Sequence, residues 1–83
     1  MLAVKVAEAL WNTSMAPAGE LERWRALDGE MVDAGQAVAE VRIEGALHEI
    51  GSPGRGMLVR SASIGDVIQP GDRLGWVEVA AQG

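Results

Sequence analysis

The chain contains an internal repeat, and this repeat narrows its possible folds more than any other feature. Residues 19–23 match residues 56–60 at an offset of 37, and residues 29–38 match residues 65–74 at an offset of 36. The shared frame is G-[ED]-x-[VI]-x-x-G-[QD]-x-[VL]. Agreement at this many positions predicts two copies of one supersecondary unit, related by a pseudo-twofold axis.

Each copy has the pattern of short strands joined by turns. Lead strands are predicted over residues 21–27 and 57–64. Two turns follow in each copy, at glycines that permit positive φ without steric cost: Gly29, Gly35, Gly65 and Gly71. Between the turns, Val32 or Ile68 is predicted to enter the core. Neither unit alone can bury its apolar face, so we expect an all-β barrel or sandwich with the two units packed face to face.

Composition excludes several function classes. The 83 residues suffice for a single domain over residues 1–83, with a core over about residues 4–79. No cysteine and one histidine, His48, argue against disulfides and against a metal site. The net charge of −5 disfavours nucleic acid and anionic membranes as partners. The apolar runs are too short to span a membrane, and Lys5 and Glu8 interrupt the first one, so we expect no signal peptide and a cytoplasmic location.

Residues 11–15, 28–36 and 52–56 contain motifs that resemble those of the lipoyl/biotinyl-attachment domain family. The segment at residues 28–36 is similar to the family's E-G-D-x-V-x-x-G-[DQ], and residues 52–56 are similar to its A-P-x-x-G turn. Residues 11–15, Trp-Asn-Thr-Ser-Met, resemble the W-x-x-S-M loop of lipoyl domains in acetoin-type and related 2-oxo acid dehydrogenase acyltransferases. The resemblance covers about residues 4–79. It implies a flattened barrel-sandwich hybrid of two four-stranded sheets that carries lipoate or biotin.

The chain departs from the family where the cofactor is attached. The resemblance implies a lysine at the tip of a hairpin, in the sequence D-K-A for lipoyl or M-K-M for biotinyl domains, but this chain has Glu44-Gly45-Ala46. An amide-linked cofactor requires a primary amine, so neither lipoate nor biotin is expected at Gly45. The only lysine, Lys5, falls in the predicted first strand, not on a tight turn. Glycine is also an ordinary residue for a hairpin turn.

The candidate site therefore combines the hairpin with the loop that the family places beside it. The hairpin residues are Arg42, Glu44, Gly45, Ala46 and His48, and the possible partner surface is Trp11, Ser14 and Met15. The resemblance implies protein partners in a dehydrogenase or acyltransferase complex, bound by a non-catalytic docking or assembly module. The alternatives are a carrier-like module without covalent cofactor and a covalent lipoyl or biotinyl carrier using Lys5.

Two further alternatives are weaker. The chain offers no credible nucleophile–base pair for an enzyme, and His48 beside Glu49 fits a solvated strand residue. A nucleic-acid-binding barrel would need aromatic and basic residues on one face. The tryptophans Trp11, Trp24 and Trp76 can equally fill or cover the core, and Trp76 is expected to be partly buried.

Overall fold

The computed structural model describes residues 1–79, so the last four residues of the predicted domain, 80–83, lie outside the described range. Its strands are β1 (Leu2–Lys5), β2 (Gly19–Trp24), β3 (Met31–Val32), β4 (Ala37–Ile43), β5 (Ala46–Gly51), β6 (Gly56–Arg60), β7 (Val67–Ile68) and β8 (Arg73–Val79). A short 3₁₀ helix, Glu8–Trp11, follows β1. No helix among these residues has the length and apolarity needed to cross a membrane.

The strands form two four-stranded antiparallel sheets, and each sheet draws strands from both halves of the chain. Sheet A has the order β1-β8-β6-β3, and sheet B has the order β5-β4-β2-β7. Exchanging β1 for β5, β2 for β6, β3 for β7 and β4 for β8 converts one order into the other. The structure therefore confirms the all-β fold of two four-stranded sheets and agrees with the predicted pseudo-twofold relation.

The core lies between the sheets and is built from residues at matching positions of the repeat. Four such pairs are almost completely buried: Leu21 with Leu58, Val32 with Ile68, Val38 with Leu74, and Val41 with Val77. The prediction that Val32 and Ile68 enter the core is confirmed. Each fully buried Leu, Ile or Val side chain contributes roughly 1.5–3 kcal/mol. Since each half contributes one residue of every pair to a single core cluster, neither half can bury this surface without the other.

The polar residues of the repeat frame close its turns. The side chains of Glu30 and Asp66 accept hydrogen bonds from the backbone N–H groups of Leu27 and Ser63, at 3.0 and 2.8 Å. In the same way, the side chains of Gln36 and Asp72 accept hydrogen bonds from the backbone N–H groups of Asp33 and Gln69, at 3.0 and 2.8 Å. The acidic or amide residue that follows each turn glycine is therefore an acceptor for an otherwise unpaired donor. The four turn glycines all have positive φ, between 81° and 93°, as predicted.

The halves are also tied to each other through these turns. The N–H of Gly29 donates to the carbonyl of Leu58 at 2.7 Å, and the N–H of Gly65 donates to the carbonyl of Leu21 at 2.8 Å. Each turn is therefore hydrogen-bonded to the lead strand of the other half. This reciprocal bonding places the same turn at matching positions of both copies, and the positive φ of each turn explains why glycine recurs there.

The lead strands end earlier than predicted. β2 ends at Trp24 and β6 at Arg60, whereas the sequence pattern extended them to residues 27 and 64. Leu27 and Ile64 are 70% and 62% exposed, so the apolar pattern at these positions does not mark burial. The chain leaves each sheet there because it must reach the glycine turn that contacts the opposite half.

Candidate functional site

The β4–β5 hairpin ends in a two-residue turn. The strands pair as far as Ile43 with Ala46, which leaves Glu44 and Gly45 as the loop. Glu44 has a φ of 49° and Gly45 a φ of 85°. Positive φ at both central residues is the requirement of a type I′ turn, which follows the right-handed twist of the strands. A Cβ built on Gly45 would meet no atom within 4 Å, so this position projects into open space.

Glu44 fastens a distant loop to the hairpin tip. Its Oε2 atom accepts hydrogen bonds from the Ser14 hydroxyl at 2.9 Å and from the Met15 N–H at 3.1 Å. The Ser14 hydroxyl in turn accepts a bond from the Ala16 N–H at 3.0 Å. A carboxylate acceptor makes the first two bonds charge-assisted. The predicted partner residues Ser14 and Met15 are therefore held directly beside the tip.

The tip presents apolar side chains to solvent. Met15 is 91% exposed and Leu47, on β5, is 46% exposed. Ala46 is also exposed, next to the turn. A methionine side chain is flexible and polarizable, so it can fit partner surfaces of irregular shape. The tip thus combines an ordered backbone with an adaptable apolar contact.

Arg42 connects the hairpin to its neighbouring strand. Its Nε and Nη2 atoms donate to the two carboxylate oxygens of Glu22, on β2, at 3.3 and 3.0 Å. Its Nη1 atom donates to the Gly45 carbonyl at 3.2 Å. The two bonds to Glu22 use the guanidinium fork in its bidentate geometry. The Arg42 side chain therefore connects the turn of the hairpin to the neighbouring strand β2.

This pairing shifts the titration of both groups. The hydrogen bond from Arg42 holds the pKa of Glu22 below its ordinary value of 4.5, and the bond to Glu22 raises the pKa of Arg42. Because the Glu22 pKa is lower in the folded state, the pair stabilises the fold above the ordinary carboxyl pKa. That contribution is lost as the pH falls through the lowered pKa.

We expect NMR titration to find a Glu22 pKa below 4.5 that returns toward the ordinary value in the Arg42→Gln variant. Removing the guanidinium removes the main cause of the shift. A Glu22 pKa that is the same in both proteins would contradict the bidentate pairing.

The structure corrects one predicted site residue and places the others. Trp11 is only 8% exposed and belongs to the core, so its side chain is not part of a partner surface. It lies at the end of the 3₁₀ helix, and its carbonyl accepts the Ser14 N–H at 2.9 Å. The tryptophan therefore anchors the root of the loop. His48 lies half-buried on β5 opposite Val41, away from the Glu44 contacts.

Sequence reasoning missed two residues of this site. Glu22 completes the Arg42 contacts, and Leu47 adds exposed apolar surface. The alternation of Glu20 and Glu22 with apolar residues in β2 was an available signal, since it predicts a charged outer face beside Arg42.

Lys5 lies in a different environment from the tip. It is the exposed last residue of β1, paired with Arg73 of β8 in sheet A. It is therefore on a paired strand and not on a tight turn. Within residues 1–79, no three histidine, cysteine, aspartate or glutamate side chains are grouped as metal ligands would be.

Comparison with solved structures places the fold. The chain is similar to the lipoyl domain of the 2-oxoglutarate dehydrogenase complex from Azotobacter vinelandii, with a TM-score of 0.71 and 18% sequence identity. The match covers 95% of this chain and 100% of that domain. No protein-family model and no curated protein matches the sequence. At this identity the likeness establishes the architecture, and the chain has the lipoyl-domain fold.

Proposed function

We propose that this chain is a lipoyl-like carrier-fold domain that lacks the modifiable lysine and serves as a non-catalytic docking or assembly module. Its partners would be protein components related to 2-oxo acid or acetoin dehydrogenase complexes, in the cytoplasm. The observation that carries the proposal is the hairpin tip. The tip is an ordered two-residue turn in a lipoyl-domain fold, and its outward position is occupied by Gly45, which has no amine.

The geometry around the tip supports a recognition role. Glu44 holds Ser14 and Met15 in place, and Arg42 holds the turn carbonyl. Ordering these groups before binding lowers the entropy cost of association. Met15 then offers an exposed apolar contact within a rim of charged and polar groups. This combination suits a partner with an apolar pocket and a polar edge.

The direct test is binding of the purified chain to dehydrogenase and acyltransferase components, measured by calorimetry. Met15→Ala is expected to weaken binding about tenfold, as truncation of a contact residue at the centre of an interface does. The substitution leaves the fold intact because the side chain is 91% exposed. Leu27→Ala is the matched control, since Leu27 is 70% exposed and follows the end of β2 that lies away from the tip. Absence of binding to every component, or equal losses from both substitutions, would contradict the proposal.

The alternative is a covalent carrier that uses Lys5, and its exposure at the end of β1 is the observation in its favour. We expect the intact mass to remain unchanged after treatment with lipoate ligase, lipoate and ATP, and after treatment with biotin ligase, biotin and ATP. A paired strand does not present the amine as a tight turn does. A cofactor-sized increase that disappears in the Lys5→Arg variant would establish the alternative instead.

A further inference from the structure

The outer faces of the two sheets differ in chemistry although the sheets share one topology. The outer face of sheet B carries an ion-pair network together with the exposed apolar side chains of Leu47 and Val67. Arg23 contacts Glu40 at 2.8 Å, and Arg25 contacts Glu40 at 3.2 Å and Glu49 at 3.0 Å. The charges of this network are paired with one another.

The outer face of sheet A is apolar. Ala3, Trp76 and Val59 lie side by side across β1, β8 and β6, and Met57 lies beside Met31 across β6 and β3. Their neighbours along the strands, such as Val77 and Leu58, are fully buried, so these five point outward. We name these five residues the sheet A face. None of them is charged, and Met31 remains 56% exposed.

Charged residues border the sheet A face at its two ends and differ in sign. Lys5 and Arg73 form an exposed cross-strand pair at one end. Glu78 is exposed at the other end, opposite Met57. None of the three is in an ion pair with another described residue. Arg73 and Glu78 are five positions apart on β8, which corresponds to about 17 Å along a strand.

We propose that the sheet A face binds a second copy of this chain about a twofold axis. A twofold, face-to-face arrangement with antiparallel β8 strands brings Lys5 and Arg73 of each copy opposite Glu78 of the other. The Ala3, Trp76 and Val59 side chains of the two faces then pack between the charged ends, as in other sheet-on-sheet contacts, and Met57 and Met31 lie in the same cross-strand row as Glu78. The charge pattern selects a second copy as the occupant, because it is complementary to itself under this rotation.

The size of the face sets the strength of this association. A four-stranded sheet is about 19 Å wide, and the charged ends of the face are about 17 Å apart. The contact is therefore smaller than the roughly 800 Å² per partner of a standard interface. We therefore expect a reversible dimer with a dissociation constant on the order of 0.1 mM. Equilibrium sedimentation of the purified chain, from micromolar to millimolar concentration, measures it.

Charge substitutions give the decisive test. Glu78→Lys is expected to raise the dimer dissociation constant at least about tenfold, because it opposes like charges at both ends of the interface. The double variant Lys5→Glu, Arg73→Glu is expected to do the same. Mixing the two variants restores association as a heterodimer, since one face is then entirely positive and the other entirely negative. Glu20→Lys makes the same charge change on sheet B and leaves the constant unchanged.

NMR provides a second readout that does not depend on a substitution. On dilution, the Trp76 indole N–H and the Met31 and Met57 methyl signals are expected to shift, while the Met15 methyl signal stays constant. A monomer at every concentration, a dissociation constant indifferent to Glu78→Lys, or shifts confined to Met15 would each overturn the proposal. Because the assay contains no dehydrogenase component, its result is independent of the proposed docking function.

Discussion

Gly45→Lys is expected to make the chain a substrate of lipoate ligase, whereas the chain with Gly45 stays unmodified under the same conditions. The added side chain would project from the hairpin tip, where no atom lies within 4 Å of the new Cβ. The backbone at this position has a φ of 85°. In this left-handed conformation a residue with a Cβ lowers the stability of the fold by about 1–2 kcal/mol. This cost is a small part of the stability of a domain of this size, so the variant is expected to fold. Intact mass after ligase treatment measures the outcome.

Gly29→Lys is the matched control for this experiment. Gly29 has a φ of 86° and no atom within 4 Å of a built Cβ, so strain, charge and exposure equal those at Gly45. Gly29 follows the end of β2 at which Trp24 pairs with Ala39, and this end of the strand lies away from the hairpin tip. We expect this variant to remain unmodified. If folded Gly45→Lys also stays unmodified, the tip lacks the surface that a ligase recognises, and the missing lysine is then not the only reason that the chain goes unmodified.

Gly75→Ala and Gly56→Ala are expected to destabilise the fold more than any substitution at a turn glycine. A Cβ on Gly75 would overlap the Val59 carbonyl oxygen, and a Cβ on Gly56 would overlap the Glu78 carbonyl oxygen. Both clashes are with backbone of the β6–β8 ladder, which cannot move without losing hydrogen bonds. We expect each to lower the free energy of unfolding by more than about 3 kcal/mol. Urea denaturation followed by tryptophan fluorescence measures this.

Gly65→Ala separates steric overlap from backbone strain. Gly65 has a φ of 93°, yet a Cβ there would meet nothing within 4 Å. Its substitution should therefore cost only about 1–2 kcal/mol, from the left-handed backbone alone. A loss at Gly65 as large as that at Gly75 would show that the close packing of β6 against β8 is not the limiting constraint.

Much of the fold was predictable because each residue type in the repeat frame has a local structural role. The glycines give positive φ, the acidic or amide residue after each glycine closes the turn, and one apolar residue enters the core. These are interactions within a few residues, so a sequence pattern can record them. The pseudo-twofold relation follows from the recurrence itself, and with it the exchange of strands between the two sheets.

The candidate site was less predictable because it depends on distant contacts. The bond between Ser14 and Glu44 joins positions thirty residues apart, and nothing local indicates it. Trp11 was a candidate for the surface beside the hairpin, with core packing as the alternative, and the 3₁₀ helix that contains it turns the ring into the core. The premature ends of β2 and β6 have the same origin, since the chain leaves each sheet to contact the other half. Where long-range packing decides the position of a loop, residue type alone is ambiguous.

The pairing of β1 with β8 has a consequence for the order of folding. The β4–β5 hairpin joins residues that are close along the chain, whereas Leu2 pairs with Val77. Closing so long a loop loses much more chain entropy than forming a tight hairpin. Sheet B can therefore nucleate early around its hairpin, and sheet A is completed only when the first strand docks. Until that step, β8 has an open edge toward β1, and nascent chains are most vulnerable there to strand addition by a neighbour.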